Sequence, residues 1–467
     1  MDRLGSLIAK AFRRIVPDPF VIAILLTIGT MIAVLLWGTL PEEHSRLGGM
    51  LLAWGSGKGM WGLLAFAMQM SLILLGGHVL AETRLVRSGL QRLADLPRTA
   101  AGGAVMIAAV ATSLGLLNWG LALVAGALLA RETGRSLHRR HIAAHYPLLA
   151  AAGYMGLLVW HGGFSGSAPL AMTSLGGAAK ALPNSPELIE HIGVLPLSQT
   201  IFSPLNMVIS GGLLILLPLL FLVLTPRGAT PLADVSTFLP DEPTGKELAV
   251  ETTVIVDRST LVDRLNNGWL ASGCLGVLMI GAAIVIIGDS GIGRLGLNQV
   301  IMLLLGLGLV LHRSPAHFTR AAGQAAAGCA GIIVQFPLYA GIMGLLIASG
   351  IAASLTNALV DVASPETLPL ATMVSAGVVN MLVPSGGGQW AVQGPIALQA
   401  GLDAGVAPGS MLMSVAYGDE LTNMLQPFWA LPLLAITGVR ARDIVGYTCI
   451  AMLLAGAWMA IWLLVLA

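Results

Sequence analysis

Asp419 and Glu420 stand side by side in AYGDELTNMLQP, a polar interruption of an otherwise apolar stretch at 409–437. An ionisable group held within a membrane is costly, so a carboxylate in such a place points first to function. Carboxylate oxygens beside carbonyls released by a broken helix suit Na⁺, and a desolvated carboxylate can instead carry a proton. Asp419, Glu420 and Asn423 are therefore the candidate ligands of a coupling ion, with a Na⁺ site near Asp419 or a proton on one of the acids as the two forms. The plainer reading is that one carboxylate faces an aqueous vestibule or caps the next half-helix. His161 lies in a second interruption, WHGGFSGSAP, with Ser165 and Ser167 nearby. An imidazole there either donates to a substrate carboxylate, couples protons near neutrality, or bonds a backbone carbonyl that the break exposes.

Two further polar points sit between apolar arms. One is Asn118-Trp119-Gly120 within 99–130, the other Ser385-Gly386-Gly387-Gly388-Gln389, followed by Trp390, within 370–400. Their amides, hydroxyls and peptide N–H groups, at the starts of half-helices, favour an anion. Asn118, Trp119, His161, Ser165, Ser167, Ser385, Gly386, Gly387, Gly388, Gln389, Trp390, Thr422 and Asn423 form the candidate substrate site. No arginine falls in the apolar core, which suits a monocarboxylate better than a multiply charged solute. Trp119 and Trp390 either wall a pocket for a short acyl tail or simply pack between helices.

The elements that carry these residues belong to a membrane protein. Hydrophobic residues make up 56% of the 467 and charged residues 10%, with a mean hydropathy of +0.85. Such a surface cannot be that of a soluble domain. Expected spans are 19–40, 60–81, 201–224, 269–288, 295–311, 325–349 and 444–466, each long enough for about 30 Å of hydrocarbon. Residues 1–16 pattern as an interfacial amphipathic helix, and 19–40 as a retained span rather than a signal peptide. Cys274, Cys329 and Cys449 lack metal-ligand spacing and pattern as packing residues. No P-loop, zinc motif or nucleophile elbow occurs, and no basic stripe suggests nucleic acid, so enzyme and nucleic-acid functions find no support. A channel remains a different class, separable by conductance.

In 99–130 only about eleven residues follow the tip before Arg131, too few to cross, so the segment is expected to re-enter. In 370–400 the glycines are expected to form the turn of a second re-entrant hairpin. Segments 146–179 and 409–437 are expected to be broken transmembrane helices. Hairpin then broken helix occurs twice, Asn118-Trp119 matching Gln389-Trp390, and Tyr154 precedes Pro169 by the interval that separates Tyr417 from Pro432. The expected fold is thus an all-α polytopic protein with a first repeat at 17–224, a cytoplasmic linker at 225–266 and a second repeat at 267–467. The expected spans put twenty of the twenty-four basic residues on one side, leaving Arg46, Lys58, Lys180 and Arg294 opposite. The crowded side reads as cytoplasmic, with the N-terminus inside and the C-terminus outside. The two hairpins then open to opposite faces, so the repeats are inverted, as in a secondary transporter.

LLNWGLALVAGAL at 116–128, WHGGFSGSAPL at 160–170, VPSGGGQWAVQGPI, AYGDELTNMLQPFW and the early FRRIVPDPFVIAILLT resemble the short-chain fatty acid transporter family. The similarity covers nearly the whole chain and extends, more distantly, to the ion transporter superfamily. It implies uptake of acetoacetate, butyrate or similar monocarboxylates across an inner membrane, and no cofactor beyond a coupling ion, Na⁺ or H⁺. By the wider analogy it implies a homodimer with a scaffold and a mobile transport unit working as an elevator. Sodium–dicarboxylate members of that superfamily carry Ser-Asn-Thr tips where this chain has Asn118-Trp119 and Gly388-Gln389. Sodium coordination and dicarboxylate specificity are therefore not carried over, and a symporter or antiporter of dicarboxylates or other small organic anions stands as the alternative.

Overall fold

The computed structural model describes residues 17–40, 44–183, 185–226, 232–239, 260–290, 296–360 and 363–467. The amphipathic pattern of 1–16 and most of the 225–266 linker lie outside them. Among the described residues seven helices are long and apolar enough to cross a membrane, including Pro19–Trp37, Leu64–Ala81, Pro204–Leu224 and Ala441–Leu466. Helices Pro19–Trp37 and Trp269–Ser290 expose Ile24, Leu25, Ile28, Leu275, Leu278 and Val285. Apolar surface of this kind, with all backbone bonds kept inside each helix, is what lipid requires. Cys274, Cys329 and Cys449 are free thiols.

The hairpins and broken helices fill the middle. The first hairpin pairs Ala100–Leu117 with Trp119–Arg139. Only Asn118 lies between them, extended, its side chain accepting from the Leu121 amide at 3.0 Å. Here the sequence reading fails: the return arm runs to Arg139, far beyond Arg131. The charges do not end it because they satisfy one another. Arg131 Nε and Arg135 Nη1 reach Glu132 Oε1 at 3.0 and 3.4 Å, and Ser136 donates to Asp95.

The second hairpin pairs Leu368–Asn380 with Gly386–Ala404. Its turn is Met381 to Ser385, and the three glycines are not in it. They form the first helical turn of the second arm, capped by Ser385, whose hydroxyl accepts from the Gly388 amide at 3.3 Å. None of them has positive φ. Ser385 therefore does at this tip what Asn118 does at the other, and Gln389-Trp390 lies one turn further along. Gln389 Nε2 bonds the Ala376 carbonyl at 2.8 Å and Gln393 Oε1 at 2.7 Å, clasping the two arms.

The first broken helix runs as Tyr146–Gly153, a tighter turn at Met155–Leu158, irregular backbone to Gly166, then the short Ser167–Ala171. Gly153 backs directly onto Gly126, and Gly156 onto Gly115, where a Cβ would meet backbone carbonyls. The second broken helix is Pro408–Thr422, a tight turn at Asn423–Leu425, and Pro427–Thr437. Asp419 and Glu420 thus sit in the last turns of a regular helix, and the break falls after them. Pro427 cannot donate to the preceding turn, which explains its place.

A described strap from the linker, 232–239, docks at the base of the first hairpin and the broken helices. Ala233 accepts from the Tyr146 amide at 2.9 Å and donates to His145 Nδ1 at 3.2 Å, which gives His145 a structural role. Asp234 Oδ2 lies 2.6 Å from His138 Nδ1. Burial alone would raise the Asp234 carboxyl, but hydrogen bonds from the Ser236 hydroxyl and amide, with His138 alongside, hold it below its usual value of 3.8. A depressed carboxylate stabilises the docked strap above its free value, and that contribution is lost as pH falls through the docked one. Hydrogen exchange at 235–239 is expected to stay slow at neutral pH and to rise only below about pH 3.8. Fast exchange at pH 7 would remove Asp234 as the anchor.

Candidate functional site

Both hairpin tips and the first helix break meet at one cavity of about 350 Å³. Asn118 and Trp119 contribute from the first tip, Ser385, Gly386 and Gly387 from the second, and Phe164 to Ser167 from the break. Two hydrogen bonds fix the break against the first tip. The Phe164 amide donates to the Leu116 carbonyl at 2.7 Å, and Ser165 Oγ accepts from the Trp119 amide at 3.0 Å. The latter satisfies one of the donors that a helix start leaves over.

The cavity has two chemically distinct walls. One is aromatic. Trp119 meets Trp429 edge-on at 5.1 Å between ring centres, with Trp160 and Phe66 each at 6.0 Å from Trp119. The other is made of backbone and hydroxyls. Among the described residues, no hydrogen-bond acceptor reaches the amides of Gly386 and Gly387, the first two donors of helix Gly386–Ala404. A helix start supplies partial positive charge together with such free N–H groups, a ready seat for a carboxylate. Among the described residues no charged side chain lines the cavity.

Behind the second tip lies the ionisable cluster. His161 Nε2 is 3.2 Å from Asp419 Oδ1. Glu420 Oε2 accepts from the His161 amide at 2.9 Å and is also bonded by the Gly162 amide. Asp419 and Glu420 are 2% and 0% exposed. His161 also borders the cavity indirectly, since a Cβ on Gly386 would come within 2.9 Å of its Cε1 and Nε2. Both acids of the cluster thereby contact the first break. Glu420 grips the first break through two peptide N–H groups, whereas Asp419 faces the imidazole.

Several residues singled out in the sequence do not line the cavity. Gln389 clasps the hairpin arms, and Trp390 is buried against Gly394. Gly388 faces Met343. Thr422 and Asn423 join Asn380, whose Nδ2 lies 2.6 Å from the Asp419 carbonyl, 2.9 Å from Thr422 Oγ1 and 2.8 Å from Asn423 Oδ1. Gln426 donates to the Asn380 carbonyl. Asn380 was not anticipated, nor was Asn206, which donates to the Gly162 and Ile201 carbonyls and accepts from Tyr417. Each is a lone amide inside an apolar helix, a signal visible in VVNML and PLNMV. Among the described residues no group of three or more His, Cys, Asp or Glu forms a metal site.

Fold and chamber together define a multi-pass helical membrane protein with a solute-sized cavity between two hairpins. Comparison with known proteins gives the particular kind. A family model described as short chain fatty acid transporter matches residues 1–466, and the chain belongs to that family. It is 35% identical over 458 residues to a protein of Escherichia coli (strain K12) provisionally named as a short-chain fatty acid transporter, covering 98% of each chain. A protein of Haemophilus influenzae named in the same way is 34% identical over 454 residues, covering 97% of each. These are transporters and not enzymes. Solved structures of Neisseria gonorrhoeae MtrF and Alcanivorax borkumensis YdaH align over most of the chain at 15% identity, with TM-scores of 0.41 and 0.46, too low to bear on this fold in detail.

Proposed function

We propose that the protein is a cation-coupled secondary transporter of short-chain monocarboxylates such as butyrate and acetoacetate. The observation that carries this reading is the cavity itself. Free peptide N–H groups at Gly386 and Gly387 face an aromatic wall of Trp119, Trp160, Trp429 and Phe66, so a carboxylate and a short acyl tail each meet a matching surface. A dicarboxylate would bring a second charge to a cavity with no cationic side chain among the described residues, at a desolvation cost that none of those residues offsets.

The coupling site in this reading is Asp419 with His161, held in place by Glu420, and the ion is Na⁺ or H⁺. Alternating access is taken to be an elevator movement of the hairpins and broken helices as one unit, past a scaffold that pairs with a second copy. The repeats are inverted in this reading, and the protein lies in an inner membrane with its N-terminus cytoplasmic and its C-terminus outside. What supports these points is the residue pattern and the family, together with the convergence of the two tips.

The direct test is uptake of labelled butyrate by proteoliposomes under imposed Na⁺ or proton gradients. Protein-free vesicles are the necessary control, because the neutral acid crosses lipid unaided. Protein-dependent uptake should be inhibited by excess acetoacetate and not by succinate. Inhibition by succinate alone would replace the substrate class, and no protein-dependent flux under either gradient would end the proposal.

A further inference from the structure

A second cavity, of about 260 Å³, sits at the other helix break and shares no residue with the first. Half-helix Pro427–Thr437 partitions the two, sending Trp429 into the first and Pro427 and Ala430 into the second. Ile22 and Leu26 form part of the outer wall from helix Pro19–Trp37, with Ile444 and Val445 from helix Ala441–Leu466. Both of these helices turn apolar residues, such as Leu25, Ile28, Leu453 and Ile461, outward. The way in is therefore through lipid.

The lining is almost wholly apolar, with two exceptions. Among the described residues Tyr339 Oη and Gln426 Oε1 have no hydrogen-bond partner, although the two side chains are only 3% and 5% exposed. The remaining polar groups are occupied, Tyr154 donating to the Asn423 carbonyl at 2.9 Å and Thr448 to the Met424 carbonyl. Among the described residues Tyr154 and Tyr339 are the only titratable linings, and none is charged. An orphan donor and an orphan acceptor in a mostly apolar cavity call for a ligand that supplies the complementary pair. An engineered apolar cavity of about 150 Å³ in another protein stays dry and holds benzene, so this one has room for an aliphatic chain.

We propose that this cavity is a second, lipid-accessible binding site for the neutral form of a medium-chain carboxylic acid. The acid carbonyl accepts from Tyr339, the acid O–H donates to Gln426, and the alkyl chain lies against Ile22, Leu26, Ile444 and Val445. The carboxylate form is excluded, since it would meet Gln426 Oε1 as a second acceptor and would be buried without a counter-charge. The site is separate from the one assigned to transport and does not depend on that assignment.

The experiment is saturation binding of radiolabelled octanoic acid to the purified full chain at pH 5 and pH 8, with excess unlabelled butyrate present to fill the first cavity. Butyrate-resistant binding is expected at pH 5 and not at pH 8. Tyr339→Phe, which removes a single hydroxyl, should weaken it about tenfold. Val445→Phe should abolish it by filling the cavity, while the melting temperature of each variant reports that it folds. Binding that butyrate fully displaces, binding equal at the two pH values, or binding unaffected by Tyr339→Phe would each overturn the assignment. Octane competing as well as octanoic acid would show that the chain alone is recognised and would refute the head-group pairing.

Discussion

Proteoliposomes carrying Asp419→Asn are expected to exchange internal for external butyrate but not to accumulate it against a gradient. Asparagine keeps the shape and an oxygen at the position 3.2 Å from His161 Nε2, so the packing around the ring is preserved. What it loses is the charge that, in the proposed coupling role, either binds a cation or takes up a proton. Coupling is a free energy shared between two sites, and it vanishes when one of them no longer binds. The protein-dependent accumulation ratio should therefore fall to roughly one while counterflow continues. Glu420→Gln is the informative partner. Glu420 Oε2 serves as an acceptor for the His161 and Gly162 amides, and a glutamine oxygen does the same. Glu420→Gln should consequently retain much of the gradient-driven uptake that Asp419→Asn lacks. The reverse ranking would make Glu420 the coupling group, and wild-type accumulation in Asp419→Asn would remove the cluster from coupling altogether.

The ranking of these two acids shows what sequence reading could and could not reach. Their neighbourhood was legible because charge is rare in this chain and stands out against apolar surroundings. Their roles were not, since nothing in GDEL says which acid meets a ring 258 positions earlier and which meets a peptide, Asp419 and His161 being joined only by tertiary contact. The hairpins were legible from paired apolar arms with a polar point between them. The length of the first was misjudged because Arg131 was treated as a boundary, whereas Glu132 offsets its charge inside the helix. The glycines at 386–388 were assigned to the turn on conformational freedom, yet what Gly386 supplies is smallness. Trp429 and Phe66 escaped notice for another reason. An aromatic in an apolar run carries no local mark distinguishing a cavity wall from core packing, and only the meeting of four elements makes it one.

That smallness yields the second large expected effect. A methyl group added at Gly386 would lie 2.9 Å from His161 Cε1 and Nε2, closer than real Cβ atoms come, and a tight 3.2 Å from Ser167 Oγ. The imidazole has little room to yield. Its own amide is bound to Glu420, its ring packs on Trp160 at 3.7 Å between centres, and Nε2 is the atom facing Asp419. Crowding of this kind in a packed interior costs about 1–3 kcal/mol. If the strain is relieved by moving the ring or the tip, both the coupling pair and the carboxylate seat are disturbed together. Gly386→Ala should thus lower butyrate uptake at least tenfold, about 1.4 kcal/mol in transition-state terms, without unfolding the protein. Its neighbour gives the control, because a methyl group at Gly387 meets nothing within 4 Å. Alanine is also the better helix former at an early helical position. Gly387→Ala should keep uptake within a few-fold of wild type and melt no lower. Equal behaviour of the two variants would mean that the tip is not pressed against His161, and that the link drawn between substrate seat and coupling cluster is absent.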